Sequence, residues 1–184
     1  MAAPVRKPMT SDEFIAWAME QPDGERFELV AGEVVGMSPE RLSHARVKHR
    51  IAGALEDAIV AGGLRCEALP DGVSVEVDER TSYQPDALVR CGDPLPGDTV
   101  ALSDPMIVVE VISPSSRARD TGAKLEDYFR LPTVRHYLIV RTDSCSVIHH
   151  GKGGDGAIVT RILHGGPLEL DPPGITVAVE SFFP

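Results

Sequence analysis

One acid, Glu110, stands inside the apolar run "MIVVEVISPSS", residues 106–116. Alternation along a strand puts it on the face of Val108 and Ile112, while Val109 and Val111 point the other way, so both faces are apolar. An ionised carboxylate in such surroundings costs several kcal/mol unless it is paired, hydrogen-bonded or metal-bound, so Glu110 requires partners. Asp86 is the first candidate. It lies in a second strand-like run, "YQPDALV", directly after Pro85, whose missing amide hydrogen marks a strand start or a bulge. Two carboxylates facing one cleft repel unless a cation lies between them, and oxygen-only ligands of this kind suit Mg²⁺ or Mn²⁺. The second candidate is Lys124, in the helical segment after the Glu110 run, with Asp120 and Tyr128 four residues to either side on one face. An ammonium there can orient a metal-bound water, stabilise charge developing on a phosphate, or neutralise the acid pair.

These residues need elements to hold them. "MTSDEFIAWAME" begins with Thr10 three residues before Glu13, a capping box, and then carries Phe14, Trp17 and Ala18 at helical spacing. "RFELVAGEVVGMSP" alternates around Ala31 and Gly32 and predicts a hairpin with Phe27, Leu29 and Val34 on the buried side. In "SPERLSHARVKHRIAGALEDAIVAGGL", Val47, Ile51, Leu55 and Ile59 recur every fourth residue and Gly62–Gly63 supplies the stop, which predicts a long helix. Its first half is basic, with Arg41, Arg46, Lys48 and Arg50, a pattern that reads as a solvated face. Short strands follow in "LRCEAL", "GVSVEV", "QPDALVR" and "MIVVEVIS", then a helix over 117–131 with Leu125, Tyr128 and Phe129, ended by Pro132. "HYLIV", "CSVIHH", "AIVTRIL" and "GITVAVESFF" close the chain as strands between Gly-rich turns. No repeat or linker divides this order, which predicts a single mixed α/β (α+β) domain over residues 1–184.

At 184 residues, 42% hydrophobic and 25% charged, the chain can bury a full core, and no apolar run approaches the length of a membrane helix. The start "MAAPVRKPMT" has no apolar stretch of a secretory signal, so the expected location is cytoplasmic. Cys66, Cys91 and Cys145 form no C-x-x-C pair and no zinc spacing, and read as reduced structural thiols. The net charge of −10 argues against a protein that coats DNA through general basicity, so any contact with nucleic acid must be local.

"RFELVAGEVVGMSP", "QPDALV", "IVVEVISPSS" and "RDTGAKLEDYFRLPTVRHYLIV" together resemble the Uma2 family, the former DUF820 group, over nearly the whole chain. The resemblance implies a restriction-endonuclease-like fold of the PD-(D/E)xK nuclease superfamily, a mixed sheet flanked by helices with an N-terminal helix and hairpin. It implies metal at Asp86 and Glu110. The chain departs from the wider nuclease pattern at Ile112, where a lysine is usual; in chains similar to the Uma2 family a lysine of the following helix takes that role, here Lys124. Glu28 matches the family's early glutamate and is expected to bind metal directly or through water. His44 matches its histidine near the start of the long helix, with a phosphate or a metal-bound water as the expected contact. A homodimer is a further expectation from the resemblance.

The remaining features carry less. Tyr128 reads as a core aromatic with its hydroxyl at the cleft edge. His149–His150 and the pair His44 and His49 suggest a transition metal weakly, since a spacing of five on a helix turns the imidazoles about 140° apart. "SPSSRARD" combines hydroxyls with Arg117 and Arg119 near a helix start; this is a phosphate grip or ordinary N-capping by Ser115 or Ser116. The expected function is therefore Mg²⁺- or Mn²⁺-dependent hydrolysis of DNA by Asp86, Glu110 and Lys124, with Glu28 and His44 accessory. The alternatives are a non-cleaving module of the same fold that binds nucleic acid or protein, and metal-dependent hydrolysis of a phosphoester other than DNA at the same site.

Overall fold

The computed structural model describes residues 7–112 and 121–184. Its first helix, α1 (Ser11–Met19), starts at the capping box. The Thr10 hydroxyl accepts from the Glu13 amide at 3.2 Å and the Glu13 carboxylate accepts from the Thr10 amide at 2.9 Å, so both orphan donors are satisfied. β1 (Phe27–Val30) and β2 (Glu33–Gly36) form the predicted antiparallel hairpin. Ala31 and Gly32 turn it with φ of 50° and 85°, the positive values that a two-residue turn requires. α2 (Leu42–Ala61) buries Val47, Ile51, Leu55 and Ile59, the whole predicted stripe.

Beyond α2 come β3 (Cys66–Pro70), β4 (Ser74–Asp78), β5 (Thr81–Tyr83), β6 (Ala87–Cys91), β7 (Ala101–Leu102) and β8 (Ile107–Ile112). After α3 (Thr121–Arg130) follow β9 (His136–Arg141), β10 (Ser146–Lys152), β11 (Ile158–Leu163), β12 (Pro167–Leu170) and β13 (Ile175–Ala178), and a 3₁₀ turn over Val179–Phe182. β5, β7 and β12 are absent from the sequence expectation because each is short and lacks a sustained alternation. The segment "SPSSRARD", with Ser115, Ser116, Arg117, Arg119 and Asp120, lies outside the described residues.

Two sheets carry the fold. The larger has six strands in the order β11-β10-β9-β8-β6-β3; β8 and β9 are parallel and every other pair in it is antiparallel. The smaller has the order β2-β1-β5-β4-β7. β8 is central and buried on both faces, as its apolar run requires. Val109 and Val111 pack with α2 and the β13 end of the chain, while Val108 packs with Tyr128, Tyr137 and Val75 of the second core. α3 forms the crossover between β8 and β9, so the element after Glu110 is fixed against the sheet that holds it.

The cysteine reading needs a correction. Antiparallel pairing of β3 with β6 sets Cys66 opposite Cys91, and the two are joined by a disulfide; Cys145 alone is free and exposed. The separation of 25 residues carries no local motif, so only the strand register could reveal the pair. Closing a loop of that length constrains the unfolded chain by about 3–4 kcal/mol. Thiol titration of the denatured, unreduced chain should therefore give one thiol per chain, and three after reduction. Reduction, or Cys66→Ser with Cys91→Ser, should lower the unfolding free energy by roughly 3 kcal/mol in a denaturant titration.

Candidate active site

Asp86 immediately precedes β6, and its backbone amide donates to Val109 O at 3.0 Å. Ala87 is paired with Val109, so one further step of the same antiparallel register sets Asp86 against Glu110. The Asp86 Oδ2 atom accepts from the Val111 amide at 2.6 Å, which fixes the carboxylate against the neighbouring strand. Asp86 and Glu110, far apart in sequence, are thus brought to one place by the β6–β8 pairing.

Lys124 reaches Glu110 from α3, as the spacing predicts. Its ammonium lies 2.8 Å from Glu28 Oε1 and 3.0 Å from Glu110 Oε1, and 4.9 Å from the centroid of the Tyr83 ring. Tyr128 Oη, one turn along α3, donates to the same Glu110 oxygen at 2.9 Å. Glu28 Oε1 also accepts from the Gln84 amide at 3.1 Å. Glu28 is buried and carries the smaller sheet's contribution to the cluster. Burial, reinforced by Asp86 and Glu28, pushes the Glu110 carboxyl up to about 7 even with Lys124 beside it. Burial also disfavours the Lys124 ammonium, but Glu110 and Glu28 outweigh it and hold the lysine above its usual range.

On the opposite side of Asp86 stands α2. His44 faces Glu40 Oε2 through Nδ1 at 3.4 Å, and its Nε2 contacts Val111 O and lies 3.9 Å from Asp86 Oδ2. The structure therefore gathers all five sequence candidates: Asp86, Glu110, Lys124, Glu28 and His44. It adds one that the sequence reading assigned to a solvated face. Lys48 is 6% exposed, and its ammonium lies 2.7 Å from Glu40, 2.7 Å from Asp71 and 3.3 Å from Asp86. Arg26 Nη1 backs Asp71 at 2.6 Å. The missed signal was helical: Lys48 lies four residues after His44, three before Ile51 and seven before Leu55, on the buried stripe itself. Its neighbours Arg41, Arg46 and Arg50 are exposed, as expected.

The carboxylates of Asp86, Glu110 and Glu28 offer oxygen ligands only, which suits a hard cation, and the Lys124 ammonium stands on Glu110 beside them. Among the described residues no three acid, imidazole or thiol side chains gather at metal-ligand spacing. Asp86 and Glu110 remain as a facing pair. That fits Mg²⁺, which commonly takes one or two carboxylates and completes its shell with water.

The comparisons with known proteins follow this geometry. The family model Uma2, described as "Putative restriction endonuclease", matches residues 11–180. The chain belongs to the Uma2 family. Two uncharacterised proteins of Synechocystis sp. resemble this Uma2 member over almost their whole length: one is 26% identical, covering 99% of this chain and 94% of the relative, the other 25% identical, covering 93% and 96%. The crystal structure of a putative nuclease belonging to DUF820 from Anabaena variabilis superimposes with a TM-score of 0.73 over 96% of this chain and 98% of that one, at 13% identity. The Uma2 member therefore has the fold of that structure. Among its described residues no helix is long and apolar enough to cross a membrane.

The histidines at the far side of the large sheet do not join the site. His149 pairs with His136, not with its neighbour His150: His136 Nδ1 and His149 Nε2 are 2.9 Å apart, and His136 Nε2 lies 2.9 Å from Pro172 O. His150 instead bonds Thr160 Oγ1 at 2.8 Å, and His49 is exposed on α2. Because Pro172 O can only accept, His136 donates to it through Nε2, and its Nδ1 accepts from His149. Burial, with His136 adding to it, lowers His149 to about 4.

Two predictions follow from these contacts. Lys124→Met leaves Glu28 and Glu110 buried without their cation and should cost about 3–5 kcal/mol of unfolding free energy; adding Glu28→Gln should recover part of it. For His149, a depressed pKa means that its neutral form stabilises the fold fully above the unfolded value and that this contribution is lost as pH falls through about 4. Wild-type melting temperature should drop between pH 6.5 and 4 more steeply than that of His149→Gln.

Proposed function

We propose that this Uma2 member is a metal-dependent endonuclease that hydrolyses DNA phosphodiester bonds, with Asp86 and Glu110 holding Mg²⁺ or Mn²⁺. The observation that carries the reading is the place of Lys124. The in-strand position of the usual lysine is taken by Ile112, which packs with the second core, and an ammonium from α3 stands at the Glu110 carboxylate instead. The ion, when bound, would polarise the scissile phosphate and lower the pKa of its water. The chain's own residues then divide the rest. The Val111 amide and the β6–β8 register hold Asp86 and Glu110 in fixed orientation, so little reorganisation is needed on binding. Lys124, paired with Glu28, carries a permanent positive charge beside the place where negative charge develops on the phosphate. Tyr128 holds Glu110 from the same helix. His44 is positioned by Glu40 at the edge of the pair, where it can meet a phosphate oxygen or an ordered water.

A non-cleaving binding module is the second reading, favoured by the −10 charge and by lysines already neutralising the acids. Purified protein with supercoiled plasmid and Mn²⁺ separates the two. The nuclease reading expects nicking that Asp86→Ala and Lys124→Met each reduce at least about 100-fold while circular dichroism shows a retained fold. Plasmid shifted on a gel but never nicked, or nicking equal in the wild type and both variants, supports the alternative or a contaminant.

A further inference from the structure

The nuclease reading uses Asp86, Glu110 and Lys124 and leaves the second buried lysine without a task. Lys48 is enclosed: its side chain is 7% exposed, whereas Glu40 and Asp71, which meet it, are about a third exposed at 32% and 29%. The ammonium donates to Asp71 at 2.7 Å and stands in ion-pair contact with Glu40 at 2.7 Å and Asp86 at 3.3 Å. One of the three is Asp86, whose other oxygen already accepts from the Val111 amide. Both Asp86 oxygens are thus engaged, one by a fixed amide and one by a fixed cation. Without Lys48, three carboxylates would face one another with only Arg26, bound to Asp71, and His44 beside them. Such a cluster attracts a cation strongly.

Two-metal phosphodiesterase sites place their ions roughly 3.5–4 Å apart and clamp both reacting oxygens. Here a buried ammonium stands 3.3 Å from Asp86 Oδ1, while Oδ2 accepts from the Val111 amide. We propose that Lys48 is the fixed second cation of this centre: it positions Asp86, fills the acid cluster of Glu40, Asp71 and Asp86, and thereby limits the centre to one divalent ion. The proposal rests on Asp86 and Glu110 being the metal-binding pair. Lys48 is a positioning residue, acting through Asp86, and its role is distinct from that of Lys124 on the Glu110 side.

Mn²⁺ titration of the full chain, followed by calorimetry and by electron paramagnetic resonance, tests it without any turnover. The wild type should bind one Mn²⁺ per chain with the spectrum of an isolated ion. Lys48→Met should bind two, with a spin-coupled signal, and should return to one when Asp71→Asn is added. Lys48→Arg, which keeps the charge, should stay at one. A second variant that keeps the lysine guards against failure of Lys48→Met to fold. Glu40→Gln with Asp71→Asn turns the whole ammonium charge onto Asp86 and should weaken Mn²⁺ binding about tenfold. Two ions in the wild type, one ion in both the wild type and Lys48→Met, or unchanged affinity in the double variant overturns the role given to Lys48. A wild type that binds no Mn²⁺ overturns the metal pair itself, and this inference with it.

Discussion

A lysine ammonium with 5% of its surface exposed cannot rely on water, and Lys124 is matched instead by groups from separate segments of the chain. Glu28 comes from the hairpin of the smaller sheet, Glu110 from the centre of the larger one, and the lysine from the helix that crosses between β8 and β9. None of these charges is tolerable alone in its surroundings. Together they join both sheets and α3 at one point, so the site cannot exist unless the domain is assembled. The Tyr83 ring under the ammonium and Tyr128 on Glu110 close the remaining directions. Tyr83 is itself tied to α3 through Asp127 at 2.6 Å.

That arrangement explains why an acid survives in the most apolar strand of the chain. Each face of β8 belongs to a different core, and an unpaired carboxylate on either would weaken both. Burial raises the Glu110 carboxyl to about 7, a value ordinary structural acids seldom need. A fold optimised for stability alone would carry an aliphatic residue there. The cost is consistent with a group kept for binding or chemistry, and the pairing with Lys124 is what makes it bearable.

How much of this could be read in advance depended on range. The stripe Val47, Ile51, Leu55 and Ile59, the turn at Ala31–Gly32 and the capping box at Thr10 are local, and each was legible because a few neighbouring residues determine it. Glu110 was legible for the opposite reason, as a residue that contradicts its local pattern. Lys48 was hidden by good company: it sits among surface arginines, and only its phase with Ile51 and Leu55 places it inward. The Cys66–Cys91 bond and the His136–His149 pair were illegible because strand register, not sequence proximity, makes them. His149 was read with its neighbour His150, although adjacent residues in a strand point to opposite faces.

Lys124 stands on α3 rather than in β8. An in-strand lysine at position 112 would be held by the sheet itself and would stay beside Glu110 through any motion of the helices. Lys124 is held by α3, whose Tyr128 and Phe129 pack into the second core while Arg130 clasps Asp78 of the smaller sheet at 2.9 Å. The charge balance of the acid cluster therefore depends on the docking of one ten-residue helix. If α3 lifts, Glu110 loses both Lys124 and Tyr128 at once, and Glu28 loses the ammonium it pairs with, so partial opening is penalised electrostatically at every step. With Lys124 on the crossover, its buried charge also locks α3 to both sheets, and the acid cluster and the core become cooperative through it.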